Sequence, residues 1–294
     1  MIAQAVERLA LYFGSERTRQ GVLARAALGT MGDDDTGVTA TIGAALEADI
    51  RPDGSVGGMA LPTVWRVHEL CDLGRRDSEA AARLLRWVLA LQGRPGAFGE
   101  GCDRERHVQR ACEHYIQGFF SPAPSHVRLA PMTLPNGKAF RSEPGARFVL
   151  SCLALRAALR AGAGGRDAIN RHIRSLATLA TGWTSWNGYF SPDAIVAGMH
   201  SLALAGPAYQ PTVASLVGLV GANQEPSGSW PNADLFHTLQ ALLATGLPEA
   251  AETVRRATPA LVERQRADGT FGATAQQERA LIGLQALLRA NGRP

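Results

Sequence analysis

The stretch "LVGANQEPSGSWPNADLFHTLQALLATG", residues 219 to 246, holds the end of one helix, a tight turn and a whole second helix. Gly228 stands between two serines. Glycine supplies the positive φ that a tight turn needs, and serine hydroxyls bond the neighbouring backbone. Beyond the turn, Leu235, Phe236, Leu239, Leu242 and Leu243 recur at helical spacing. Gly246 then occupies the position just past a last turn where helices favour glycine. The unit is a helical hairpin.

The turn recurs six times, as "DGSV" at Gly54, "PGAF" at Gly96, "NGKAF" at Gly137, "NGYF" at Gly188, "SGSW" at Gly228 and "DGTF" at Gly269, with intervals of 42, 41, 51, 40 and 41 residues. A helix-periodic segment precedes most turns, such as "AAARLLRWVLALQ" (80 to 92), and a more apolar one follows, such as "SPDAIVAGMHSLALAG" (191 to 206). Strand alternation is nearly absent, so the chain is all-α. Six hairpins of about 41 residues can stack as an open solenoid or close into a ring. Six favours an (α/α)6 toroid, in which the second helices form an inner wall and are therefore apolar nearly all round. Inner helices are expected near 59–73, 104–118, 144–161, 191–205, 232–245 and 274–290. The whole chain, 1–294, reads as one domain, with 1–31 an N-terminal helical extension. Residues 121–141 carry four prolines in "SPAPSHVRLAPMTLP" and are expected as an irregular loop or lid.

Composition narrows the partners. With 46% hydrophobic and 19% charged residues, the chain can bury a sizeable core. No apolar stretch approaches the length of a membrane span and the first residues lack a signal-peptide core, so a cytoplasmic protein is expected, peripheral membrane contact being the one membrane role left open. Cys71, Cys102, Cys112 and Cys152 have no metal or disulfide spacing. The net charge of +4 comes almost wholly from arginine, Lys138 being the one lysine, and the arginines are scattered away from aromatics. No nucleic-acid partner is expected, whereas an anionic small molecule such as a diphosphate stays open.

"LVGANQEPSGSW" (219–230) and "LVERQRADGTFG" (261–272), with "LALQGRPGAFG" (89–99) as a looser match, resemble the Gln-Trp repeat of squalene-hopene cyclases. That resemblance implies the α/α toroid shared by terpenoid cyclases and protein prenyltransferase β-subunits, with Gln224 or Gln265 capping inner helices and Trp230 or Phe271 stacking on them. "GDDDTGVTA" (32–40) looks like the DxDDTA motif of protonation-initiated cyclases, with Gly32 in place of the first Asp. The resemblance makes Asp34 the general acid, beside Asp35 and Asp33. The competing reading is that these carboxylates cap the helix that starts there, about 20 Å from the end where inner helices begin.

"DLFHTLQALLATG" (234–246) resembles the D-x-YHT segment of protein prenyltransferase β-subunits, which implies a zinc ligand at His237, with Asp234 beside it. Asp193 stands where that family has an Asp ligand, and Ile195 where it has a Cys. His107 and His114, seven apart with Arg104 a turn earlier, and Glu278 at the start of the last inner helix add polar groups to the same end. Trp65, Trp186, Phe190 and Trp230 could face cationic intermediates, or simply pack the core.

The leading reading is a terpene-cyclase-like enzyme acting on an isoprenoid or similarly apolar substrate inside the toroid. The second is a zinc-dependent, prenyltransferase-like transferase or cyclase using His237, so that the cofactor question stays open between none, zinc and magnesium. The third is a non-catalytic toroid that binds a lipid or a protein.

Overall fold

A computed structural model describes residues 1–90, 119–120 and 127–292. It is all-α apart from one short hairpin. The helices are α1 (Ile2–Gly14), α2 (Arg19–Leu28), α3 (Asp34–Ala48), α4 (Ala60–Asp72), α5 (Glu79–Ala90), α6 (Glu143–Arg160), α7 (Asp167–Ala180), α8 (Pro192–Ala203), α9 (Gln210–Ala222), α10 (Leu235–Thr245), α11 (Pro248–Arg256), α12 (Thr258–Arg264) and α13 (Gln276–Ala290). Strands β1 (Met132–Thr133) and β2 (Ala139–Phe140) pair antiparallel, Met132 opposite Phe140.

Two kinds of helix alternate, and burial tells them apart. In α7 the buried residues are Ile169, His172, Ile173, Leu176 and Ala180, one stripe at helical spacing. In α6 every residue from Ala146 to Ala158 is buried, so this helix is enclosed on all sides. Among the described helices the more deeply buried kind pack in a circuit: α2 on α4, α4 on α6, α6 on α8, α8 on α10, α10 on α13, and α13 back on α2. Around them, α3 packs on α2 and α4, α5 on α4, α7 on α6 and α8, and α11 on α10 and α13. Residues 1–31, expected as an extension, form α1 and α2, and α2 takes a place in the circuit. The expected inner helices at 59–73, 144–161, 191–205, 232–245 and 274–290 correspond to α4, α6, α8, α10 and α13, whereas 104–118 lies outside the described residues.

The glycine turns tie each hairpin to the next. Gly228 and Gly269 have φ of 88° and 86°, and a Cβ there would come within 2.5 Å of the Arg256 carbonyl oxygen and 2.8 Å of that of Arg8. Only glycine fits so close to the neighbouring backbone. Beside them, Gln224 Nε2 donates to the carbonyls of Gly228 and Thr253, both at 3.1 Å, and Gln265 Nε2 donates to those of Ala5 at 3.0 Å and Gly269 at 3.2 Å. Gln265 Oε1 accepts from Arg8 Nη2 at 2.6 Å. The expectation that these glutamines cap inner helices is therefore corrected. Each reaches past its own turn to the next helix of the outer layer, because the glycine turn packs directly on that helix. Trp230 is buried beside the same turn, and its indole N–H donates to the Val220 carbonyl at 2.9 Å. Gln265, from the last hairpin, bonds the first helix, so the chain closes on its own beginning.

Residues 127–141, the described part of the expected loop or lid, form the ordered β1–β2 hairpin. Met132, Leu134 and Phe140 are buried, and so is Asn136 at its tip. None of the described helices is long and apolar enough to cross a membrane.

Candidate functional site

The circuit encloses a cavity of about 520 Å³, within the range of small-molecule sites. Every one of the six enclosed helices contributes to its wall: Arg19 from α2, His68 from α4, Arg156 from α6, His200 from α8, Gln240 from α10 and Glu278 from α13 are among the lining groups. The lining positions on α6 and α8 fall in the C-terminal halves of those helices, whereas on α2 and α13 they run from the first turn to the last.

The β1–β2 hairpin packs against the starts of α8, α10 and α13. Asp234 caps α10, its Oδ1 accepting from the His237 N–H at 3.0 Å, and its Oδ2 faces Arg279 Nη2 at 3.5 Å. Arg279 Nε donates to the Asn136 carbonyl at 3.0 Å, and Lys138 pairs with Asp193. His237 is buried between these partners: its Nε2 donates to the Asp193 carbonyl at 3.2 Å, and its Nδ1 accepts from Asn136 Nδ2 at 3.4 Å. Burial pushes its pKa down, against the opposing pull of Asp193. Both ring nitrogens thus have protein partners and Lys138 holds Asp193, a donor set poorly fitted to a zinc ion. Among the described residues no three His, Cys, Asp or Glu side chains cluster as a metal site would require. The Asn136 amide also donates to Gln240 Oε1 at 3.1 Å, so the hairpin tip reaches the cavity wall.

The carboxylates at the start of α3 lie apart from the cavity. Asp33 and Asp34 are exposed. Asp35 is buried in an ion pair with Arg25, whose Nη2 lies 2.5 Å from Oδ1, and it accepts from the Gly32 N–H at 3.0 Å. The Arg25 hydrogen bonds, helped by Gly32, lower the Asp35 pKa. Asp33, the residue before α3, makes no side-chain cap bond, and Asp35 reaches back to the Gly32 N–H ahead of the helix.

Of the aromatic residues expected to line a bowl, Trp65 does so, with the Arg19 guanidinium 5.4 Å from its ring centre. Trp186 donates to the Pro231 carbonyl at 2.9 Å, Phe190 packs on Phe148 and Trp183, and Trp230 lies beneath its turn; these three do not line the cavity. His107 and His114 lie outside the described residues, as do Arg104, Cys102 and Cys112.

The cavity's own chemistry is carried by groups that the sequence patterns did not single out, Glu278 and Trp65 excepted. Arg19 bonds both Asp72 and Glu278, the latter at 2.5 Å. Arg160 donates to Asp72 Oδ1 at 2.6 Å and to His68 Nδ1 at 3.3 Å. His68 Nε2 donates to the Leu153 carbonyl at 3.1 Å, and His200 Nδ1 accepts from Arg156. Both histidines are held neutral, first by burial and then by the Arg156 charge. Arg156, in the middle of a largely apolar helix, was the available signal, since arginine is almost never fully buried unless paired.

No family model matches the chain, and no curated protein does. Solved structures do. The fold is that of a terpenoid-cyclase-like protein. A protein from Actinoplanes superposes with a TM-score of 0.61 at 15% identity, covering 99% of this chain and all of its own. The type II terpene cyclase MstE from Scytonema, in a complex with geranylgeranyl dihydroxybenzoate as substrate, superposes with a TM-score of 0.59 at 16% identity over 99% of this chain and 97% of that one. Its ligand-free form gives 0.57 at 16% identity.

Proposed function

We propose that the closed helix circuit is an α/α toroid of the squalene-hopene cyclase kind, and that the protein is a terpenoid-cyclase-like enzyme whose central cavity receives a prenylated small molecule. The observation that carries this reading is that all six enclosed helices line one cavity of ligand size, in a fold that matches MstE along nearly the full length of both chains. Leu153, Leu243, Leu281 and Leu288 supply apolar wall for a prenyl chain, and Trp65 an aromatic face for a developing cation. In this reading the protein acts in the cytoplasm and needs neither nucleic acid nor a membrane-spanning anchor.

Protonation by Asp34, as the motif implies, is the finer step of this proposal. Alkene protonation needs a carboxyl that stays protonated against the substrate. Asp34 is exposed at the start of α3 and Asp35 is engaged by Arg25, so a prenyl chain would have to extend from the cavity to that end. The zinc-transferase reading fits less well, because His237 and Asp193 are committed to the hairpin.

The test is incubation of the purified chain with geranylgeranyl dihydroxybenzoate, followed by chromatography and mass spectrometry. Cyclisation rearranges bonds without changing composition, so a product of unchanged mass and new retention is expected. Absence of both conversion and binding would contradict the proposal, and binding without conversion would leave the non-catalytic toroid.

A further inference from the structure

Arg156 has the environment of a ligand-binding cation without its ligand. Its residue is 4% exposed, yet no carboxylate among the described residues pairs with it. One Nη donates to His200, which is neutral, and Nε has no hydrogen-bond partner. A guanidinium enclosed in protein with its charge uncompensated is costly, and structural arginines are normally paired. Arg19 and Arg147, equally buried, follow that rule, with Asp72 and Glu278 on the first and Glu143 on the second. Arg156 departs from it and lines the cavity.

The surrounding charges point the same way. Among the described residues four arginines line the cavity, Arg19, Arg156, Arg160 and Arg289, against two carboxylates, Asp72 and Glu278. Arg19 and Arg160 engage both carboxylates, which leaves Arg156 and Arg289 without a described carboxylate partner. His68 and His200, which also line the cavity, supply no negative charge.

We infer that the cavity binds the anionic head of its ligand, a carboxylate or phosphate group, on Arg156, with Arg289 on the opposite wall adding a second positive charge. The inference rests on the cavity being the ligand site. The planar guanidinium fork suits both oxyanions, and a charge-assisted bond is strongest in so enclosed a place. The His200 contact orients the guanidinium, making His200 a positioning residue. The leucines and Trp65 leave room beside it for an apolar tail, so the preferred ligand is amphipathic, with one acidic end.

Thermal-shift and calorimetric titrations of the full chain at low salt test this, with inorganic pyrophosphate, benzoate and neutral geranylgeraniol as probes. Wild type should gain Tm with benzoate if the head is a carboxylate, or with pyrophosphate if it is a phosphate. Arg156→Gln should abolish that gain while its ligand-free Tm equals or exceeds that of wild type, since an unmatched buried charge has gone. Arg289→Gln, at a part-exposed position, should keep the fold and weaken anion binding about tenfold, the loss expected for one charge contact. A wild type that responds to neither anion overturns the inference, as does an anion response that survives Arg156→Gln. If Arg156→Gln does not fold, unchanged anion affinity in Arg289→Gln overturns it. Geranylgeraniol binding without any anion effect sinks this inference alone, and anion binding without prenyl binding sinks the isoprenoid reading alone.

Discussion

Asp34 and Asp35 are neighbours in the chain and differ in every physical respect. One is in solvent; the other is buried against Arg25, which also donates to the Phe13 carbonyl at 2.5 Å and so fastens α1, α2 and α3 together. Asp34→Asn should leave Tm unchanged, as surface substitutions away from special contacts do. Asp35→Asn should lower it clearly, because the amide cannot balance the buried guanidinium. Thermal denaturation of the two variants side by side checks this, and equal effects would contradict it. The acidic run was visible in the sequence, but its division into a free and a bound carboxylate depended on Arg25, ten residues away on another helix. Likewise Asp234 and His237 were legible as notable residues at a helix start. Their partners, Asn136, Arg279 and the Asp193 carbonyl, come from three other segments, and no local pattern announces them.

At the level of elements, the glycine turn is what sequence and structure share most closely. Its spacing revealed the hairpins because the turns at Gly54, Gly228 and Gly269 meet the same steric demand, a glycine of positive φ packed against the main chain of the next outer-layer helix. The first hairpin escaped notice because α1 and α2 are joined through Ser15–Thr18 without a glycine turn, and α2 is only ten residues long. The hairpin within the expected loop or lid was not legible, because prolines mark where helix stops, not what replaces it. Gln265 is the element-scale test. It joins α12 to α1 through the Ala5 carbonyl and Arg8, so Gln265→Leu leaves those groups unpartnered and should cost roughly 1–3 kcal/mol. Urea denaturation would measure it, and hydrogen exchange should show α1 loosening first. A neutral substitution would contradict the role of this side chain in closing the circuit.

For the whole molecule, four buried histidines among the described residues shape the response to acid. His68, His172, His200 and His237 all have pKa values lowered chiefly by burial, His172 to about 3. In the unfolded chain each would protonate near the ordinary value of about 6.5. Between that value and the depressed one, the unfolded state binds more protons, so stability is complete above pH 6.5 and is lost as pH falls. Each histidine removes up to about 1.4 kcal/mol per pH unit below 6.5. Tm should therefore be level from pH 7 to 8.5 and fall steeply between pH 6.5 and 5, and a flat acid limb would contradict this.

If the circuit of six described helices encloses the binding site for a prenylated ligand with an acidic end, an experimental structure of the chain with geranylgeranyl dihydroxybenzoate bound will show it. The prenyl chain should lie inside the circuit, along Leu153, Leu243 and Leu281, with the carboxylate oxygens within about 3 Å of the Arg156 guanidinium. A ligand seated on the outer surface, or a central cavity left empty at saturating ligand, would contradict it.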